Sequence, residues 1–298
     1  MNEFKSQCQI WRSESNPWYG DVGWHGTNSL ILEDDYNAIC EFNRNQRDEN
    51  YKICDDAYPQ PYIGNPEAPI WILMLNPSYS IIDQYEMADA VPADEELLRI
   101  MQAFHRENER AELAYFRFNE RSSPGRRREF LRSQLSFKLD SPFYALEEDF
   151  NVWNYAPNNV LHGCYQWWRR MLLGRNRQAS AICHGDTRKL RYFFNLEFFP
   201  YHSRSFDQRI VNGLARSVKH FEFWKRMIKY AFDSDKIIIH RGSMNFIRDI
   251  FPGEYESQCQ KNRIIKSTGQ CASISNNNLR FVHNNMPIGE LLDNIIRQ

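Results

Sequence analysis

Apolar residues in this chain gather in short runs between turn formers. The sharpest is Ile70-Trp71-Ile72-Leu73-Met74-Leu75, preceded by Gly64-Asn65-Pro66-Glu67-Ala68-Pro69 and followed by Asn76-Pro77-Ser78. Six apolar residues between two turns predict a strand buried on both faces, as in a parallel sheet. Further strands are expected over 190–196, 236–240 and 279–282. Helical spacing over 94–116, 160–175 and 208–231 fills the intervals, with another helix after the turn at 241–243 and a last one from about residue 288. Residues 1–60 are polar and punctuated, and read as loops with one or two short helices. Strands alternating with helices predict an α/β fold, a three-layer αβα sandwich around a mostly parallel four-stranded sheet. The whole chain, 1–298, reads as one domain with a helical, basic insertion at about 86–189.

Composition narrows the class. At 42% hydrophobic and 25% charged residues, the 298-residue chain has the balance of a globular protein, not of a disordered or collagen-like one. Its apolar runs are far too short to cross a bilayer, and the first residues lack a basic stretch leading into an apolar segment. A soluble, cytoplasmic protein without a membrane partner is therefore expected. The seven cysteines are irregularly spaced and form no CxxC pair, so neither a disulfide framework nor a metal is expected. Cys164 near His162 and Cys183 beside His184 lack four-ligand spacing. No cofactor and no protein partner are implied.

Charge changes the picture more. The net charge is only −1, yet residues 1–100 hold 18 acidic and 6 basic side chains, whereas residues 101–298 hold 20 acidic and 31 basic ones. Such a division predicts a basic surface facing a polyanion. Aromatic content of 14% suits base stacking beside phosphate contact, although most aromatic side chains fill cores. Arg126, Arg127 and Arg128 follow the turn at Ser122-Ser123-Pro124-Gly125 and read either as phosphate contacts or as solvated surface. His202 and Arg204, after the second expected strand, are candidates to brace a DNA backbone, while the Trp167-Trp168 pair reads as packing.

Polar residues stand at three expected strand ends: Asn76 after the first, Asn195 at the second and His283 after the fourth. In a parallel sheet these would project from one edge into one crevice, where open α/β sheets bind ligands. His240, ending the third expected strand, is the alternative to His283.

The segment Gly64-Asn65-Pro66-Glu67-Ala68-Pro69-Ile70-Trp71-Ile72-Leu73-Met74-Leu75-Asn76-Pro77-Ser78 resembles the first motif of the uracil-DNA glycosylase superfamily. Phe194-Asn195-Leu196-Glu197-Phe198-Phe199-Pro200 is similar to its second motif, whose Asn reads the flipped base. Val282-His283-Asn284-Asn285 takes the place of its closing His-Pro-Ser motif, without the Pro-Ser. The resemblance implies a uracil-DNA glycosylase-like fold and a monofunctional DNA glycosylase that leaves an abasic site. It also implies roles. Asn76 would hold the attacking water, and His283 would stabilise the departing base. Asn195 would pair with the edge of the extruded base, and Pro77, Ser78 and Tyr79 would line its pocket.

Ser78 stands where the uracil-specific enzymes carry a Tyr that blocks the pyrimidine 5-position. The resemblance thus implies a pyrimidine with a bulky 5-substituent, such as a hypermodified base of phage DNA, and an antiviral role in base excision. The alternatives are a uracil or mismatch repair glycosylase, and a non-catalytic DNA-binding protein.

Overall fold

A computed structural model describes residues 16–18, 23–26, 29, 31–53, 55, 59, 61–64, 66–75, 172, 182–183, 189, 192–203, 205–240, 245–267 and 274–297. Six strands are described: β1 (Tyr62–Gly64), β2 (Ile70–Met74), β3 (Phe193–Glu197), β4 (Ile237–His240), β5 (Ile264–Ser267) and β6 (Leu279–Phe281). They form one sheet in the order β1-β3-β2-β4-β5-β6. The inner four run parallel, and the edge strands β1 and β6 run antiparallel to their neighbours.

This mixed six-stranded sheet corrects the expected mostly parallel four-stranded sheet of a three-layer, uracil-DNA glycosylase-like sandwich. Two strands escaped the hydrophobic pattern because they are short and carry few apolar residues. β1 has three residues in a Gly/Pro-rich stretch, and β5 has two isoleucines before Lys266 and Ser267. The expected fourth strand exists as β6, but it runs antiparallel at the sheet edge. The fourth parallel strand is β5.

β2 lies in the middle because its sequence admits nothing else: Ile70, Trp71, Ile72 and Leu73 are almost wholly buried. A strand apolar on both faces needs cover on both. One face packs Trp71, Leu73, Phe194, Leu196 and Ile238 under the helix α2 (His220–Asp233). Its Phe223, Trp224, Met227 and Phe232 are buried, at helical spacing. The other face packs Ile70, Ile72, Phe193, Ile237, Ile239 and Ile265 with Leu172, Ile182 and residues of the last helix. α2 and the following helices α3 (Phe246–Ile250) and α4 (Pro252–Gln260) cover one face. Successive parallel crossovers advancing in one direction must lie on one face if both are right-handed.

The expected continuous helix over 208–231 is broken. A π-helical stretch, Ile210–Leu214, runs into Ala215–Ser217, and then Val218 adopts an extended backbone before α2 begins. The break is held by Asp35, in helix α1 (Glu33–Arg44), whose Oδ1 accepts from the Lys219 backbone N–H at 2.6 Å. Tyr201 donates from its hydroxyl to Oδ2 of the same carboxyl, also at 2.6 Å. Burial raises the titration of Asp35, while these hydrogen bonds oppose the rise. The proposed insertion at about 86–189 lies almost entirely outside the described residues, as do the expected helices at 94–116 and 160–175 apart from Leu172.

Candidate functional site

The strand order reverses at β2. β3 is added on one side of it, and β4 and then β5 on the other. In open parallel sheets, such a switch opens a crevice beyond the carboxyl ends of the strands. β3 carries two polar side chains: Glu197, its last residue, opposite Met74 of β2 at that end, and Asn195, its central residue, opposite Ile72. Pairing continues past the strands, for Phe198 donates its N–H to the Met74 carbonyl at 2.8 Å and Phe199 to that of Leu75 at 2.9 Å. β3 and the end of β2 are thereby locked side by side, as far as Leu75.

Alternation along β3 sends Phe194 and Leu196 toward α2, and Phe193, Asn195 and Glu197 to the opposite face. Both polar residues are buried, Asn195 at 1% and Glu197 at 5% exposure. Asn195 Nδ2 donates to Glu197 Oε1 at 2.8 Å. Among the described residues, Asn195 Oδ1 and Glu197 Oε2 meet no hydrogen-bond partner. Leaving a buried polar atom unpaired costs roughly 1–3 kcal/mol, so these two oxygens, on residues that share one strand face, stand available to a water or a ligand. Burial pushes the Glu197 carboxyl up to about 8, against the lowering pull of the Asn195 hydrogen bond. At neutral pH the carboxyl is therefore largely protonated, and Oε2 can donate.

The far side of Glu197 is anchored. Trp18 Nε1–H donates to His220 Nδ1 at 3.0 Å, which leaves Nε2 as the protonated ring nitrogen, 2.9 Å from the Glu197 backbone carbonyl. Burial pushes His220 down to about 4, so the imidazole stays neutral and its tautomer is fixed.

Of the other expected site residues, His283, His240 and His202 are described. Asn76, Pro77, Ser78, Tyr79, Arg126, Arg127, Arg128 and Arg204 lie outside the described residues. His283 is exposed, in the turn after β6. The Val282 N–H donates to the Ile264 carbonyl at 3.0 Å, so this turn sits at the amino end of β5, whereas Glu197 lies at the carboxyl end of β3 and Asn195 at its centre. The expected shared edge does not include His283, because β6 runs the other way. His240 is at the right end of the sheet but on the face opposite Asn195, 3.5 Å from the Tyr255 hydroxyl. His202 is buried at 1% exposure, with Tyr201 and Ser203 equally so, where a surface contact to DNA was the expectation.

The sequence reading missed Glu197. The available signal was a lone carboxylate two residues from Asn195 inside an aromatic run, which places both on one strand face. Among the described residues, no group of three His, Cys, Asp or Glu side chains could hold a metal ion, and no helix is long and apolar enough to cross a membrane.

No protein-family model, no curated protein and no solved structure matches this chain.

Proposed function

We propose that the chain is a monofunctional DNA glycosylase acting on an extruded pyrimidine with a bulky 5-substituent. The observation that carries this reading is the buried Asn195, its Oδ1 without a partner among the described residues, at the centre of β3 beside β2 and two residues from the strand's carboxyl end. Hydrolysis of an N-glycosidic bond passes through an oxocarbenium-like sugar, so a water must be held on the face opposite the leaving base. Asn76 would hold it through its side-chain carbonyl; an amide is a poor base, and positioning would dominate. Asn195 would bind the polar edge of the base, and Pro77, Ser78 and Tyr79 would line its pocket. Ser78 would leave room at the 5-position. Arg126, Arg127 and Arg128 would add salt-dependent phosphate contacts.

The decisive experiment incubates the protein with uracil-containing, mismatched and glucosylated hydroxymethylcytosine DNA, followed by alkali to break abasic sites. Cleavage of the substituted DNA is expected, and Asn76→Ala should lose it while keeping DNA affinity. Release of unsubstituted uracil alone contradicts the open pocket. One observation favours a second reading, a DNA-binding protein without hydrolysis: His283 stands at the amino end of β5, not at the carboxyl ends of the parallel strands. DNA binding without any alkali-labile product would select it.

A further inference from the structure

Asn195 and Glu197 are alternate residues on one face of one strand, joined by the bond from Nδ2 to Oε1, and each keeps one buried oxygen without a hydrogen-bond partner among the described residues. Resting on the reading of Asn195 as a base contact, we propose that Glu197 is a second, specificity-determining contact. The pair then reads a neutral ring edge bearing a hydrogen-bond donor beside an acceptor, Asn195 accepting through Oδ1 and Glu197 donating through Oε2. The N3–H beside the C4 carbonyl of a uracil-type ring has this pattern. So does the amino group beside N3 of a cytosine-type ring. Both edges remain intact when the 5-position carries a substituent.

The donor exists only while the carboxyl is protonated. With its titration pushed up to about 8, Glu197 donates at neutral pH and becomes an acceptor above that value. An ionised Glu197 would face the ring acceptor with a second acceptor and repel it. Among the described residues, neighbouring groups leave this titration to burial and Asn195. Across the sheet, Met74 and Pro61, whose carbonyl accepts from the Glu197 N–H, bring no charge; Tyr62, opposite Leu196, stacks on Phe194 on the other face, and burial raises its titration further. His220 of α2 reaches only the backbone carbonyl and is neutral.

The test is a saturation-transfer NMR titration of the full chain with 1-methyluracil and 1-methylcytosine. The controls are 1,3-dimethyluracil and 1,N4,N4-trimethylcytosine, which lack the edge donor. At least one parent base is expected to bind about tenfold tighter than its blocked analogue near pH 6.5, and to weaken about tenfold by pH 9. Glu197→Gln keeps a donor at every pH and should abolish that weakening. The wild-type profile stands alone if that variant does not fold. Binding of blocked and parent bases alike, no binding of either parent, or the same pH profile in a folded Glu197→Gln variant overturns the inference. pH-dependent base binding without base release from DNA would leave the inference standing and remove the hydrolytic reading. Base release with pH-independent base binding would do the reverse.

Discussion

His220 holds the end of β3 from behind: its Nε2–H points at the Glu197 backbone carbonyl, 2.9 Å away, while its Nδ1 accepts from Trp18. All three residues are buried. Replacing His220 with Phe fills most of the volume but strands the Trp18 N–H and the Glu197 carbonyl. Two unpaired buried groups should cost about 2–5 kcal/mol, read as a lowered midpoint in urea.

Glu197 should make stability depend on pH in a definite direction. Its ordinary value is 4.5 and its folded value about 8, so between these the folded state keeps a proton that the unfolded chain has lost. Stability therefore falls as pH rises through that window and levels off above it. The full effect is about 3–5 kcal/mol. Denaturation midpoints across pH 5 to 9 should show this slope in wild type and a shallower one in Glu197→Gln. His220 acts in the opposite sense, its stabilising contribution being lost as pH falls from 6.5 toward about 4.

Tyr201 ties two helices to one carboxyl. Its hydroxyl donates to Asp35 and accepts from the Leu32 N–H at 3.2 Å, while Asp35 also accepts from Lys219 at the start of α2. Tyr201→Phe should cost roughly 1–3 kcal/mol, with amide exchange at Leu32 rising in step.

Trp71 secures the turn ahead of β2. Its Nε1–H reaches the carbonyls of Pro66 at 3.2 Å and Ala68 at 3.1 Å, and its ring is fully buried against Phe194. Trp71→Phe should lose about 1–3 kcal/mol through smaller contact area and the unpaired carbonyls. Proton exchange over 66–69 should quicken, while the pH slope set by Glu197 stays unchanged.

The legible parts of this fold are those written in dense apolar runs. β2, β3 and β4 announced themselves through Ile70–Met74, the Phe-rich stretch around Asn195 and the three isoleucines before His240. β1 and β5 did not, because a strand needs few apolar side chains when its neighbours supply the pairing. The direction of β6 was hidden for a different reason: residue pattern gives a strand's faces but not its sense, and that sense decided where His283 ended. The break at Val218 depended on Asp35, almost two hundred residues away in sequence, and local periodicity carries no trace of such a partner. Asn195 was legible as a polar residue of the second strand, although it sits at the strand's centre and not at its end, whereas Glu197 became visible only once burial showed its carboxyl held neutral beside it.

Direct quantitation of the free base released from DNA bearing 5-substituted pyrimidines tests the central claim. Wild-type protein should liberate the base and leave an abasic site, and Asn195→Ala should bind the same DNA yet liberate none. Wild-type protein that binds this DNA and leaves every base attached would contradict the account.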